Sequence, residues 1–157
     1  IKTRKINCTQ LNPNSYSWTG QNKGIFGEGD WAIVYKKESF TAWQDLTTGL
    51  IWSTPIGTAN WKVASGSDGN EDKSICGNLK ILQGEVKWML PTRNEFLQAD
   101  LNGSRQVLPL VGDIYWTGTR PNQDGSAWAI NQSTGELILT AIEDYTLNVR
   151  CVGIPLK

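Results

Sequence analysis

The sequence predicts an α+β domain that is rich in strand, with two short helices and long surface loops. Three observations carry that expectation. The 157 residues fit one domain with a real hydrophobic core. Short apolar runs flank turn-like triplets, Thr47-Thr48-Gly49 and Ser133-Thr134-Gly135, as in antiparallel hairpins. Helical signatures occur in the middle of the chain, and strands dominate after them.

The elements follow in order. Residues 1–30 give no assignable element, and Asn12-Pro13-Asn14 and Gly24, Gly27 and Gly29 read as turns and loops. Trp31–Tyr35 reads as a strand. Phe40–Leu46 and Leu50–Ser53 read as a hairpin. Residues 54–70 are polar and rich in Gly and Ser, with Trp61 in the middle, and read as a long surface loop. Residues 71–82 suit a short helix, because Ile75, Leu79 and Leu82 fall at i, i+4 and i+7. Val86–Leu90 reads as a strand that ends at Pro91. Thr92 then opens the clearest helix: Thr92 and Glu95 stand at capping-box spacing, Phe96 and Leu97 supply an apolar face, and Asn102-Gly103 ends the unit. Asp113–Thr117 is a strand and Arg120–Ser126 a second polar loop. Residues 126–131 and 136–142 form a hairpin, and Asn148–Gly153 is the last strand.

Composition excludes several functions. Lys plus Arg and Asp plus Glu are 15 each, so no global field steers the chain towards nucleic acid. The one basic cluster, Lys2, Arg4 and Lys5, reads as a frayed terminus. The sequence has no run of about 18 apolar residues of the kind that spans a membrane as a helix. The chain begins at Ile1 with no signal sequence, as a mature chain or a piece of a longer one does, so that absence says nothing of location. There is no His, which removes Ser-His-Asp and Cys-His chemistry and most zinc sites. The eight Trp favour interfaces and stacking on ligands.

From about residue 40 the chain resembles a known family. The residues that carry the resemblance are Trp43-Gln-Asp-Leu-Thr-Thr-Gly-Leu-Ile-Trp52, Cys76, Trp88-Met-Leu-Pro-Thr-Arg-Asn-Glu-Phe-Leu97, Tyr115-Trp-Thr-Gly-Thr119, Ala127-Trp-Ala-Ile130 and Asn148-Val-Arg-Cys-Val152. In this order they are similar to the C-terminal domain of the Legionella collagen-like protein, a branch of the C-type-lectin-like superfamily. The resemblance implies a lectin-like domain over residues 40–157. The resemblance carries nothing onto residues 1–39, which are expected to form an N-terminal segment that joins a fibre shaft or packs between subunits. It also implies display at the tip of a trimeric fibre on a bacterial surface, hence an extracellular location. The implied partners are a glycan or a surface protein of a target cell, and further copies of the chain as a homotrimer. Sulfated-glycan binding is not carried over, because this chain is neutral.

The resemblance pairs Cys76 with Cys151 in a disulfide. The alternatives are a reduced buried pair, or another pairing that involves Cys8. The expected role of Trp43, Trp52, Trp88, Trp116 and Trp128 is core packing. Trp61 stays open between a plug in the body and a solvent-facing anchor, and Tyr16 and Trp18 raise the same question. The expected ligand contacts are Trp61, Arg120, Asn122, Gln123 and Asp124, on loops whose polar groups suit sugar hydroxyls. Arg120-Pro121-Asn122 is similar to the Glu-Pro-Asn tripeptide of calcium-dependent lectins, with the key charge reversed. Asp68, Asn70 and Asp72 alternate as at the opening of a calcium loop, but the later bidentate Glu is missing. Helix capping explains them better, so no cofactor is expected and calcium is only a weak candidate. No catalytic residue is assigned. Three functions compete: a recognition module, a trimerising fibre cap without a ligand, and an enzyme of the formylglycine-generating type, which the missing His disfavours.

Overall fold

The structure, a computed structural model, describes residues 30–66, 74–121 and 125–156. The described residues form an α+β fold, mostly sheet, with three short helices where two are expected. The strands are β1 (Trp31–Lys37), β2 (Phe40–Asp45), β3 (Ile51–Ala59), β4 (Val86–Met89), β5 (Ile114–Trp116), β6 (Ser126–Asn131), β7 (Leu137–Ala141) and β8 (Leu147–Pro155). The helices are α1 (Trp61–Ser65), α2 (Arg93–Leu101) and α3 (Ser104–Val107). The sheet runs β1-β2-β3-β8-β5-β6-β7, and β4 also pairs with β8. Residues 31–37, which the resemblance leaves out, form an edge strand of this same sheet.

Alternation along the strands sends successive side chains to opposite faces. Ile51, Trp116, Ala127, Ala129, Val149 and Cys151 join one buried cluster with Trp61 and Trp88. Their neighbours Trp52, Tyr115, Ile130 and Val152 join a second cluster with Phe96 and Ala99 of α2. Trp52 and Phe96 hold their rings 5.3 Å apart there. Two cores thus sandwich the central strands. Cys76 and Cys151 are bonded, with Cα atoms 5.5 Å apart, and tie the segment after α1 to the central strand β8.

Three expectations need correction. The expected loop over residues 54–70 is not one long loop in its described part, 54–66. β3 continues to Ala59 because Pro55, Gly57, Thr58 and Ala59 pair with Arg150, Val149, Asn148 and Leu147 of β8. Pro55 has no N–H to give, and the register shifts on both sides of it. Asn60 then caps α1 by accepting the Val63 N–H at 2.9 Å.

The helix expected over residues 71–82 does not form in its described part, 74–82, which is a chain of turns. Ser74 Oγ accepts the Gly77 N–H, and Leu82 and Gly84 both take positive φ. Ile75, Leu79 and Leu82 still pack against the first core, so the apolar spacing reflects burial without helix. The third correction is the short helix α3, which sequence reading does not anticipate.

The helix at Thr92 forms as expected. Thr92 Oγ accepts the Glu95 N–H at 3.1 Å, and Glu95 Oε1 accepts the Thr92 N–H at 2.8 Å. Thr92→Ala is therefore expected to cost about 1 kcal/mol of stability, read as a lower urea midpoint with an unchanged slope.

Candidate binding surface at the β5–β6 arm

The chain leaving β5 is Thr117-Gly118-Thr119-Arg120, and hydrogen bonds hold it on every side. Thr117 N–H and Oγ both donate to Trp128 O, at 2.9 and 2.7 Å. Trp128 N–H donates to Thr119 O at 2.9 Å. Gly118 N–H donates to Pro91 O at 2.8 Å, and Arg93 N–H donates to Thr119 Oγ1 at 2.9 Å. A side chain at Gly118 would come within 3.3 Å of Leu90 O, so the close approach favours glycine. The arm is thereby fixed against the start of α2.

Each side of the arm carries an arginine over a tryptophan. Arg120 lies 5.1 Å from the Trp61 ring centre, and its Nε–H donates to Ser126 O at 3.3 Å. Arg93 lies 5.4 Å from the Trp128 ring centre. Trp61 belongs to the first core. Trp128 points the other way from Ala127 and Ala129, which fill that core, so the two stacks sit on opposite faces of the arm.

The sequence-derived candidates fall out unevenly. Trp61 is buried, with 9% exposure, and its indole N–H donates to Thr117 O at 2.9 Å. It is a plug in the body and not a solvent-facing anchor. Trp61→Phe keeps an aromatic ring, though a smaller one, and loses that bond. It is expected to destabilise by about 1–2 kcal/mol, measured by thermal melting. Arg120 is exposed at the surface. Asn122, Gln123 and Asp124 lie outside the described residues, as do Asp68, Asn70 and Asp72, Cys8, Tyr16 and Trp18. Among the described residues no group of three or more His, Cys, Asp or Glu could hold a metal ion. Trp52, Trp88 and Trp116 are buried as expected. Trp43 is half-buried against the second core. Trp128 departs from the expectation: it is half-buried and its ring is covered by Arg93.

Sequence reading missed two residues. Arg93 stands inside the Trp88–Leu97 motif, and its contact with Trp128 spans 35 positions that no local pattern links. Arg150 is fully buried in β8. Its guanidinium donates to Gln132 Oε1 at 2.9 Å, to Ser53 O at 2.7 Å and to Pro109 O, and it lies 5.1 Å from the Tyr115 ring centre. Burial pushes its pKa down to about 10, against the opposing influence of Tyr115, so it remains charged at neutral pH. The residue next to it, Cys151, donates its N–H to Ser53 Oγ at 2.9 Å, where β3 and β8 slip register. Arg150 is a structural hub that stitches the irregular β3–β8 pairing beside the disulfide.

No protein-family model matches the chain, and no curated protein matches it significantly. Among the described residues no helix is long and apolar enough to cross a membrane.

Proposed function

We propose that the chain is a non-catalytic recognition domain with a C-type-lectin-like fold. It is displayed outside the cell at the tip of a bacterial surface fibre and binds a glycan or a surface protein of another cell. The observation that carries this reading is the β5–β6 arm, a rigidly held segment that offers Arg120 to solvent beside a tryptophan. Loops on a stable scaffold are the usual carriers of binding. The disulfide suits an oxidising, extracellular setting. Individual contacts of this kind are weak, and a homotrimer would supply affinity by linking several copies. The proposal assigns no catalytic residue and no reaction.

The second reading is a trimerising cap of the fibre that binds nothing. The burial of Trp61 favours it, because that burial removes the aromatic anchor that would have set a binding module apart.

The two readings separate in a glycan-array screen of the purified chain, run with calcium and with chelator, alongside its mass by light scattering. A trimer that binds a defined glycan class supports the recognition domain. A trimer that binds neither glycans nor target cells supports the cap. A monomer removes the fibre-tip assignment from both. Loss of binding with chelator would return calcium, and Asp68, Asn70 and Asp72, to the account.

A further inference from the structure

Four arginines lie in the described residues, and they divide into two kinds. Arg105 makes four hydrogen bonds through its guanidinium. Its Nε and Nη2 donate to the two Asp100 oxygens at 2.6 and 2.8 Å, and two further bonds reach Ser133 O and Thr134 O. Arg150 is buried and bonded through all three of its nitrogens, to Gln132, Ser53 and Pro109. Arg93 and Arg120 differ. Among the described residues neither has a carboxylate partner. Arg93 makes no side-chain hydrogen bond there, and Arg120 spends only its Nε, on Ser126 O. Glu95, the acid closest in sequence to Arg93, already accepts the Thr92 N–H.

Both open guanidinium groups rest on an indole face. The ring covers one face of the cation and limits its rotamers, while among the described residues the edge N–H groups meet no acceptor besides Ser126 O. A pre-oriented guanidinium edge matches a carboxylate with two parallel hydrogen bonds, and less entropy is lost on binding than with a free side chain. One such group stands on each face of a single arm. A ligand that meets both must therefore carry repeated charges and pass across the arm, as a polymer does. The chain has no net charge, so no long-range field favours a densely sulfated polymer over a sparsely charged one.

We propose that Arg93 and Arg120 are the charged contacts of the binding surface, and that the ligand is a glycan bearing carboxylates, of the uronic-acid class. This rests on the recognition reading above and adds the ligand's chemistry to it.

The test measures binding of the purified chain to immobilised polygalacturonate, with dextran, dextran sulfate and polyglutamate as comparators. Arg93→Gln and Arg120→Gln are each expected to weaken polygalacturonate binding by about tenfold, with melting temperatures close to wild type. Arg93→Lys and Arg120→Lys should not restore it, since an ammonium lacks the paired edge. Equal binding to dextran, or Gln variants with wild-type affinity, would overturn the proposal and leave the recognition reading standing. Stronger binding to dextran sulfate, or full recovery in the Lys variants, would reduce the surface to plain cation attraction and overturn it. Preference for polyglutamate would replace the glycan with an acidic peptide. Binding to none of the four polymers would overturn the carboxylate proposal. If the glycan array is also empty, the recognition reading falls with it.

Discussion

Removal of the Cys76–Cys151 disulfide is expected to be among the most damaging changes to this protein. The bond joins residues separated by 75 positions, so it closes a long loop in the unfolded chain. Chain entropy alone puts its contribution at about 4–5 kcal/mol. Both sulfurs are fully buried, in the cluster that also holds Trp61, Trp88 and Trp116, so alanines would leave a cavity as well. Cys76→Ala combined with Cys151→Ala is thus expected to lower the melting temperature by roughly 10–15 °C. A reductant should move the wild type in the same direction and leave the double variant unchanged. A double variant that melts with the wild type would show that the hydrogen bonds around Ser53 and Arg150 hold β8 without covalent help.

Arg150→Met is expected to cost about 3–5 kcal/mol. The substitution removes a donor from three acceptors at once: Gln132 Oε1, Ser53 O and Pro109 O. Two of these are backbone carbonyls that no side-chain change can delete, so they stay buried without their donor. Replacing a buried charge with an apolar residue is often neutral when its partner is replaced too, but that route is closed here. Arg150→Lys keeps the charge, yet its single ammonium cannot span three separated acceptors or lie flat beside Tyr115. Both variants should show a lower urea midpoint, with Met the more affected. A Met variant as stable as wild type would mean that the β3–β8 slip at Ser53 and Pro55 is held by the strands alone.

Much of this fold is legible in the sequence where the signal is local. Thr92 and Glu95 mark a helix start by spacing alone, and both bonds of the capping box are present. The two hairpins follow from Thr-Thr-Gly and Ser-Thr-Gly turns, in which Gly49 and Gly135 take the positive φ that those turns require. Where pairing partners are distant, the sequence misleads. Thr54-Pro55-Ile56-Gly57-Thr58 has the composition of a loop, and only its neighbour β8 makes it a strand. Ile75, Leu79 and Leu82 have helical spacing, but Gly77 and the tether at Cys76 leave the segment as turns packed on the core. Asn60 before Trp61 was a readable cap signal, masked by the polar residues around it.

The candidate site was half legible for a similar reason. Arg120 stands in a polar loop and draws attention as a contact. Arg93 lies in a helix start, and nothing nearby announces that Trp128 will meet it. Trp61 looked like a loop aromatic because its partners, Thr117 and Arg120, are far along the chain. Arg150 sits in Asn148-Val-Arg-Cys-Val152, where a charge among apolar strand residues was the one available sign of a buried hub.

The central claim is that this chain recognises a ligand through the β5–β6 arm. The most direct test is a glycan-array comparison of three proteins: wild type, Arg120→Ala, and Lys37→Ala on the far edge strand β1. The account predicts that wild type and Lys37→Ala bind the same glycan class, and that Arg120→Ala loses it while remaining folded. Binding that survives Arg120→Ala but disappears in Lys37→Ala, or a wild type that binds no glycan and no target cell, would contradict it.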